Sequence, residues 1–375
     1  MAMQLYDTAR QEVVPFEPAG RTVTMYTCGI TPYAASHMGH AAAYVTYDML
    51  QRRLRDLGHT TQLVRNVTDV DDDILRKARE LGVYYLDLAA EETARFDADM
   101  EALGLLKPFS EPRATSAIHD ILGFIGMVLD KGHAYQAAGA VYFSVDTFER
   151  FGQISHLSRE EMLPLAAERG GNPDDPAKRD PLDFVLWQPS APDEPSWPSM
   201  WGPGRPGWHI ECSALAMREL GTTIDIHGGG ADLIFPHHES EAAQSEAATG
   251  QPFVRHWVHQ AMVRFDGEKM SKSLGNLVFV SDLVKEWDPM AVRLAILTNH
   301  YRTSWDWTDD LLPEAVERLG RWRAAGEGDG GLDAVRAALD DDLDVPRALA
   351  AVDDAVRRGQ GVSAAAALLG VTLVN

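Results

Sequence analysis

Thr22 to Cys28 and Thr60 to Val67 are short runs rich in β-branched and apolar residues, and each is followed by a stretch with helical spacing, Met38 to Leu57 and Asp69 to Leu81. Gly20 and Gly29 bracket the first run, and Gly58 and Gly82 stop the two helices. A strand, helix, strand, helix order leaves little choice of topology. Each helix carries the chain back over one face of the sheet, so successive strands run parallel. The predicted fold class is α/β, a doubly wound parallel sheet, in which ligands sit beyond the C-terminal ends of the strands.

Further along, Tyr85 to Leu103 and Ala114 to Lys131 have helical spacing, and Ala140 to Val145 reads as a short strand. Leu163 to Arg205 is rich in Pro, Gly, Asp and Trp and predicts loops of an irregular insertion. Ile210 to Leu220 predicts a helix. Thr222 to His227 predicts a strand that Gly228, Gly229 and Gly230 break, and Pro236 is expected in the first turn of a helix ending at Thr249. From Pro289 onward the text is helical and Ala-rich, with a flexible break expected over Gly326 to Gly331. The expected division is 1–108 and 206–288 as two halves of the sheet domain, 109–205 as an insertion, and 289–375 as a C-terminal helical region.

The 375 residues include 34 Lys plus Arg against 56 Asp plus Glu, a formal charge of −22. Such a surface offers nucleic acid no broad electrostatic landing area. Two cysteines in a chain of this length do not make a disulfide scaffold. No apolar run is long enough for a membrane span, and Met1 to Pro15 has no basic-then-apolar signal pattern, so a cytoplasmic protein without a membrane partner is expected; the sequence does not give the oligomeric state, with a monomer favoured.

Four constellations bear on chemistry. Ser36-His37-Met38-Gly39-His40 follows a strand and turn and opens a helix, where backbone N–H groups favour phosphate. His37 and His40, three apart, share a face. The alternative is two surface histidines beside a glycine. Lys269-Met270-Ser271-Lys272-Ser273 puts two lysines three apart in a Gly-bounded loop, suited to gripping a leaving pyrophosphate or else only a solvated basic loop. Cys28, Cys212, His237, His238 and Glu241 form a candidate metal set, with inert core thiols or one disulfide as the other reading. Asn66-Val67-Thr68 and Gly230-Ala231-Asp232 follow predicted strands, where ligands bind or ordinary turns occur.

Taken together, these residues resemble the class I aminoacyl-tRNA synthetases, with signatures of the HIGH and KMSKS type. The cysteine-specific branch is the nearer likeness. It is carried by Cys28-Gly29 with Thr31 and Tyr33, by Asp183-Phe184-Val185-Leu186-Trp187, by Trp201 to Ser213, and by Phe235-Pro236-His237-His238-Glu239, over about Tyr26 to Trp307. Within that branch the chain is similar to the cysteine:glucosaminyl-inositol ligases of mycothiol biosynthesis. The turn reads Ile30-Thr31-Pro32 where the synthetases usually carry Pro-Thr-Val, and Glu168-Arg169-Gly170-Gly171-Asn172-Pro173 resembles the ligases' ERGGDP signature, with Asn172 for Asp. About 68 residues follow Trp307, short for stem helices and an anticodon domain. Ala34 stands where an Asp often follows the Tyr.

The resemblance implies a Rossmann-like (HUP) catalytic domain with a connective insertion. It implies activation of L-cysteine by ATP with Mg²⁺ and amide formation with glucosaminyl-inositol, with no tRNA. It assigns one zinc ion to Cys28, Cys212 and His237, with Glu241 matching a fourth position. It assigns phosphate work to His37, His40, Lys269 and Lys272. To the adenylate pocket it gives Cys28, Gly29, Ile30, Thr31, Ala43, Asn66, Val67, Thr68, Trp208, Gly230, Ala231, Asp232 and Val263. The rival expectations are a shortened cysteinyl-tRNA synthetase and a non-catalytic nucleotide-binding relative.

Overall fold

In the computed structural model, which describes residues 3–270 and 275–374, the chain opens on an antiparallel hairpin, β1 (Gln4–Asp7) and β2 (Glu12–Pro15), that the sequence reading did not anticipate. Then come β3 (Thr22–Ile30), α1 (Met38–Asp56), β4 (Thr60–Val67), α2 (Asp72–Leu81) and α3 (Tyr85–Ala102). The predicted second helix starts late because Asp71 caps it, accepting the Ile74 N–H at 2.9 Å, while Asp69 turns away to Thr115.

The insertion contains α4 (Ile118–Asp130), β5 (Ala134–Ala137), β6 (Ala140–Phe143), α5 (Arg159–Glu168), β7 (Phe184–Pro189) and β8 (Gly204–Pro206). Its strands form an antiparallel sheet in the order β5-β6-β7-β8, so the stretch from Leu163 to Arg205 is not wholly irregular. Three strands of this sheet, β5, β7 and β8, escaped notice; β8 is only three residues long and carries Pro206, which an edge strand tolerates. Asp183 ties the sheet to its flanks, accepting from Tyr135 Oη at 2.7 Å and Val145 N at 2.9 Å.

The chain returns through α6 (Trp208–Leu220), β9 (Ile224–Gly230), α7 (Glu239–Thr249) and β10 (Val254–Gln260). The main sheet is parallel, in the order β10-β9-β3-β4, as the strand–helix alternation predicts. Alternate residues feed opposite faces. Met25, Leu63 and Val258 join the core beneath α1, whereas Tyr26, Val64 and Trp257 join the one beneath α6 and α7.

Two expectations fail here. Gly228 to Gly230 do not break the strand but complete it. A Cβ on Gly228 would lie 1.6 Å from the Val258 carbonyl oxygen and 2.3 Å from the Tyr47 hydroxyl, so close neighbours, not a turn, demand glycine. Pro236 does not open a helix either. It follows a cis bond to Phe235 within an irregular segment, and α7 begins only at Glu239.

A small sheet follows, in the order β12-β11-β13, from β11 (Val263–Phe265), β12 (Glu268–Lys269) and β13 (Trp305–Asp306), with α8 (Val280–Glu286) and α9 (Pro289–Leu297) between the last two strands. Four more helices, α10 (Leu311–Ala325), α11 (Leu332–Leu339), α12 (Val345–Arg357) and α13 (Ser363–Leu368), extend the core beneath α1. The glycine break between α10 and α11 is a packed turn, with Gly330 N donating to Gly361 O at 2.9 Å and Val362 N to Gly326 O at 3.0 Å. Among the described residues no helix is long and apolar enough to cross a membrane.

Candidate active site

Strand order reverses between β3 and β9, because β4 lies on one side of β3 and the later strands on the other. The crevice at their C-terminal ends is therefore the switch point of the sheet, where ligands of such folds bind. Cys28, Gly29 and Ile30 end one strand and Gly228 to Gly230 the other. A Cβ on Gly29 would sit 1.5 Å from Asn66 O, and the Gly29 N–H donates to Asn66 Oδ1 at 2.8 Å. Asn66 Nδ2 donates in turn to Thr68 Oγ1 at 3.0 Å, and Thr68 N to Ile30 O at 3.0 Å. Thr31 Oγ1 donates to Asp71 Oδ2 at 3.1 Å. The predicted groups Gly29, Ile30, Asn66 and Thr68 thus form one hydrogen-bonded rim, with Thr31 beside it on Asp71.

Below that rim the two cysteines meet, buried and unbridged, with sulfurs 3.9 Å apart. Cys28, Cys212, His237 and Glu241 each offer one ligand atom, all within 4.8 Å of one another. His237 Nε2 lies 2.6 Å from Glu241 Oε1 without the alignment of a hydrogen bond, as for two groups aimed at a common point. Cys28 Sγ is 3.3 Å from Glu241 Oε1. Two sulfurs, an imidazole and a carboxylate are a donor set suited to zinc. A second set shares Cys28 and Glu241 and adds His227 and His238. His227 Nε2 is 2.6 Å from Glu241 Oε2, and His238 Nε2 is 3.2 Å from Cys28 Sγ. The first set carries both thiols, the softer ligands.

Electrostatics in this buried cluster are strongly coupled. Burial opposes ionisation of Glu241, yet His227 and His237 hold its carboxyl well below the usual range. Burial pushes the Cys28 thiol up. The hydrogen bond from Cys28, with help from His237, draws Cys212 down to about 6. Burial alone would lower His237, but Glu241 and Cys212 raise it to about 10. Burial keeps His238 well below its ordinary value and brings His259 down to about 3. A chain of contacts runs outward from the cluster, His238 Nδ1 to His259 Nε2 at 2.7 Å and His259 Nδ1 to Thr8 Oγ1 at 2.7 Å.

Trp208, at the start of α6, stacks on the His237 ring with centroids 4.2 Å apart. His209 Nδ1 lies 2.9 Å from His237 Nδ1. Ala231 and Asp232 follow β9 directly, and a Cβ on Gly230 would come 2.6 Å from Asp232 Oδ1. Val67 is buried at the end of β4, and Ala43 is buried on α1 one turn after His40. Val263 starts β11 and belongs to the core beneath α1, of which Ile30 and Met38 are also part.

His37 is the N-cap of α1, its Nδ1 accepting the Gly39 N–H at 3.1 Å, and its ring lies over His40 at 3.9 Å between centroids. The helix start is laced to the segment after the lysine loop. Met38 N donates to Val278 O at 2.9 Å, and Val280 N to Ser36 O at 3.1 Å. Lys269 ends β12, its backbone paired with Arg264, and Lys272 lies outside the described residues. Sequence reading gave no role to His227, His209 or His259, although His209 lies within the Trp201 to Ser213 run that carries the resemblance. His227 was read only as the end of a buried strand, and no local pattern separates a buried histidine with a carboxylate partner from one without.

Fold and cluster together define a class, the catalytic domain of a class I synthetase-type enzyme. A family model described as the tRNA synthetases class I (C) catalytic domain matches residues 15–317. A solved Mycobacterium tuberculosis methionyl-tRNA synthetase in complex with methionyl-adenylate shares the fold at a TM-score of 0.68 and 16% identity, covering 94% of this chain and 88% of that one. Proteins named L-cysteine:1D-myo-inositol 2-amino-2-deoxy-alpha-D-glucopyranoside ligase are much more similar. The one from Acidothermus cellulolyticus is 50% identical over 93% of this chain and 88% of its own length, and that from Thermobispora bispora 49% over 100% and 96%. The chain belongs to this ligase family, within the class I synthetase fold.

Proposed function

We propose that this chain is an ATP-dependent ligase that activates L-cysteine as cysteinyl-adenylate and joins it by an amide bond to the amine of glucosaminyl-inositol. The observation that carries the reading is the convergence of Cys28, Cys212, His237 and Glu241 at the switch point of the sheet. The acceptor is supported by the names of relatives near 50% identity and by the charge of −22, which disfavours tRNA.

In the first step a cysteine carboxylate oxygen attacks the α-phosphorus of ATP and diphosphate leaves. In the second, the uncharged amine attacks the activated carbonyl carbon, the C–O bond to AMP breaks, and the nitrogen sheds a proton. Cys28, Cys212 and His237, with Glu241 as fourth group, would hold zinc. With Glu241 yielding its place, the ion would supply a position for the substrate thiolate, which serine cannot match. His37 and His40 at the start of α1 would interact with the phosphates, and Lys269 and Lys272 would stabilise charge as diphosphate departs. Gly29, Ile30, Thr31, Ala43, Asn66, Val67, Thr68, Gly230, Ala231, Asp232 and Val263 line the adenylate, and Trp208 bounds the cysteine side. Mg²⁺ travels with ATP through phosphate oxygens and water. Dependence on ATP supports a cytoplasmic reaction.

The test is cysteine-dependent ATP–diphosphate exchange, followed by supply of glucosaminyl-inositol or tRNA. Exchange with amide product from the amino sugar is expected. Charging of tRNA alone would replace the ligase by a synthetase, and no exchange would defeat both.

A further inference from the structure

The segment from Ala231 to His238 joins β9 to α7 and carries Asp232, His237 and His238. Its backbone is irregular, with Phe235 at φ −136° and ψ 136°, so it lacks a full helical ladder and must be held by other groups. Besides the side-chain contacts of His237 and His238 in the cluster, two clamps on its backbone and its far end come from the insertion. Arg169, at the C-terminal cap of α5, donates from Nη1 to the carbonyl oxygens of Asp232 and Phe235. From the far end, the buried Glu239 carboxylate accepts the backbone N–H groups of Gly152 at 2.8 Å, Ile154 at 3.1 Å and Ser155 at 2.8 Å.

The residues after Arg169 explain its aim. Gly170 takes φ +85°, and Gly171 N donates back to Ala166 O at 2.8 Å. A Cβ at Gly171 would lie 2.8 Å from that same oxygen. The two glycines stop α5 abruptly and leave Arg169 directed across to the β9–α7 segment. Glu168-Arg169-Gly170-Gly171 is therefore a helix stop with a guanidinium at its tip.

We propose that Arg169 is a positioning residue, through which the insertion sets the place of Asp232 and His237 relative to bound cysteine and adenylate. This rests on the ligase reading above. The planar guanidinium holds two carbonyls in a fixed relation that a lysine ammonium reproduces only in part. Misplacing reacting groups by about 1 Å costs on the order of 10²-fold in rate.

The experiment uses the full chain with Arg169→Ala, Arg169→Gln and Arg169→Lys. Backbone hydrogen exchange, bound zinc, and kcat and KM for cysteine and ATP in the diphosphate-exchange assay are compared with the parent. In Arg169→Ala, faster hydrogen exchange confined to 231–238 is expected, together with retained zinc and a fall in kcat/KM for cysteine of about 10²-fold. Arg169→Lys, or added guanidinium ion with Arg169→Ala, should restore part of it. Unchanged hydrogen exchange and kinetics would overturn the proposal. So would acceleration spread over the whole chain with no rescue, which marks a merely structural role. If the parent itself shows no diphosphate exchange, the ligase reading fails, and hydrogen exchange at 231–238 still decides whether Arg169 positions the segment.

Discussion

Cys28 Sγ stands 3.9 Å from Cys212 Sγ, although 184 residues separate the two in the chain. A disulfide would bring the sulfurs to about 2.05 Å. Two thiolates on one tetrahedral zinc, with bonds of about 2.3 Å, lie about 3.8 Å apart. The 3.9 Å separation rules out a disulfide and suits either a thiol hydrogen bond or two sulfurs sharing an ion, and it is set by Cys28 on β3 and Cys212 on α6.

Cys212→Ser is accordingly expected to lose bound zinc and cysteine-dependent diphosphate exchange together, exchange falling at least about 10²-fold. Metal analysis of the purified variant alongside the exchange assay checks this. Full zinc occupancy with undiminished exchange would remove Cys212 from the ligand set.

Glu241 sits between His227 and His237, both at 2.6 Å, with no exposure to solvent. Glu241→Gln deprives two buried imidazoles of their shared carboxylate. Loss of one partner from such a buried arrangement costs about 3 kcal/mol, read as a lower denaturant midpoint. An unchanged midpoint would show that the cluster tolerates a neutral group there.

Away from the site, Asp48 on α1 pairs with the fully buried Arg293 and with Arg52 at 2.7 Å, and accepts the Leu106 N–H at 2.8 Å. Burial would raise its carboxyl, but Arg293 and Arg52 outweigh burial and lower it from the ordinary 3.8. A lowered folded value means stabilisation that is present above the unfolded value and lost as pH falls through the folded one. Asp48→Asn should be less stable at pH 7 by about 3–5 kcal/mol, because Arg293 is left buried and unpaired. It should also lose less further stability than the parent as pH falls below about 4. Denaturant unfolding at the two pH values measures both effects, and parallel curves would contradict the assignment.

His37 and His40 stack at the start of α1. If they stabilise phosphate charge in the transition state, His37→Ala lowers kcat for diphosphate exchange by about 10²-fold and leaves KM for cysteine nearly unchanged. A rise in cysteine KM at constant kcat would instead place His37 in substrate binding.

The alternation from Thr22 to Leu81 was enough to predict a parallel doubly wound sheet, because strand and helix periods are local and parallel strands require crossovers. Strand ends are local too, so Asn66 to Thr68 could be read as lying where ligands bind, with an ordinary turn as the alternative, whereas Gly29 to Thr31 read as a turn and came to the pocket only through the family resemblance. The family resemblance added the set of Cys28, Cys212 and His237, which spacing alone left open against inert thiols. What local pattern misread was decided by neighbours distant in sequence. Gly228 to Gly230 read as a break until Val258 and Tyr47 lay against them. His227 read as a strand end until α7 brought Glu241 to it. Arg169 was only part of a signature until α5 and the β9–α7 segment met. Period and composition carry the elements and their order. Contact between elements depends on how the sheet and its insertion pack, and only the tertiary structure sets which buried groups end up facing one another.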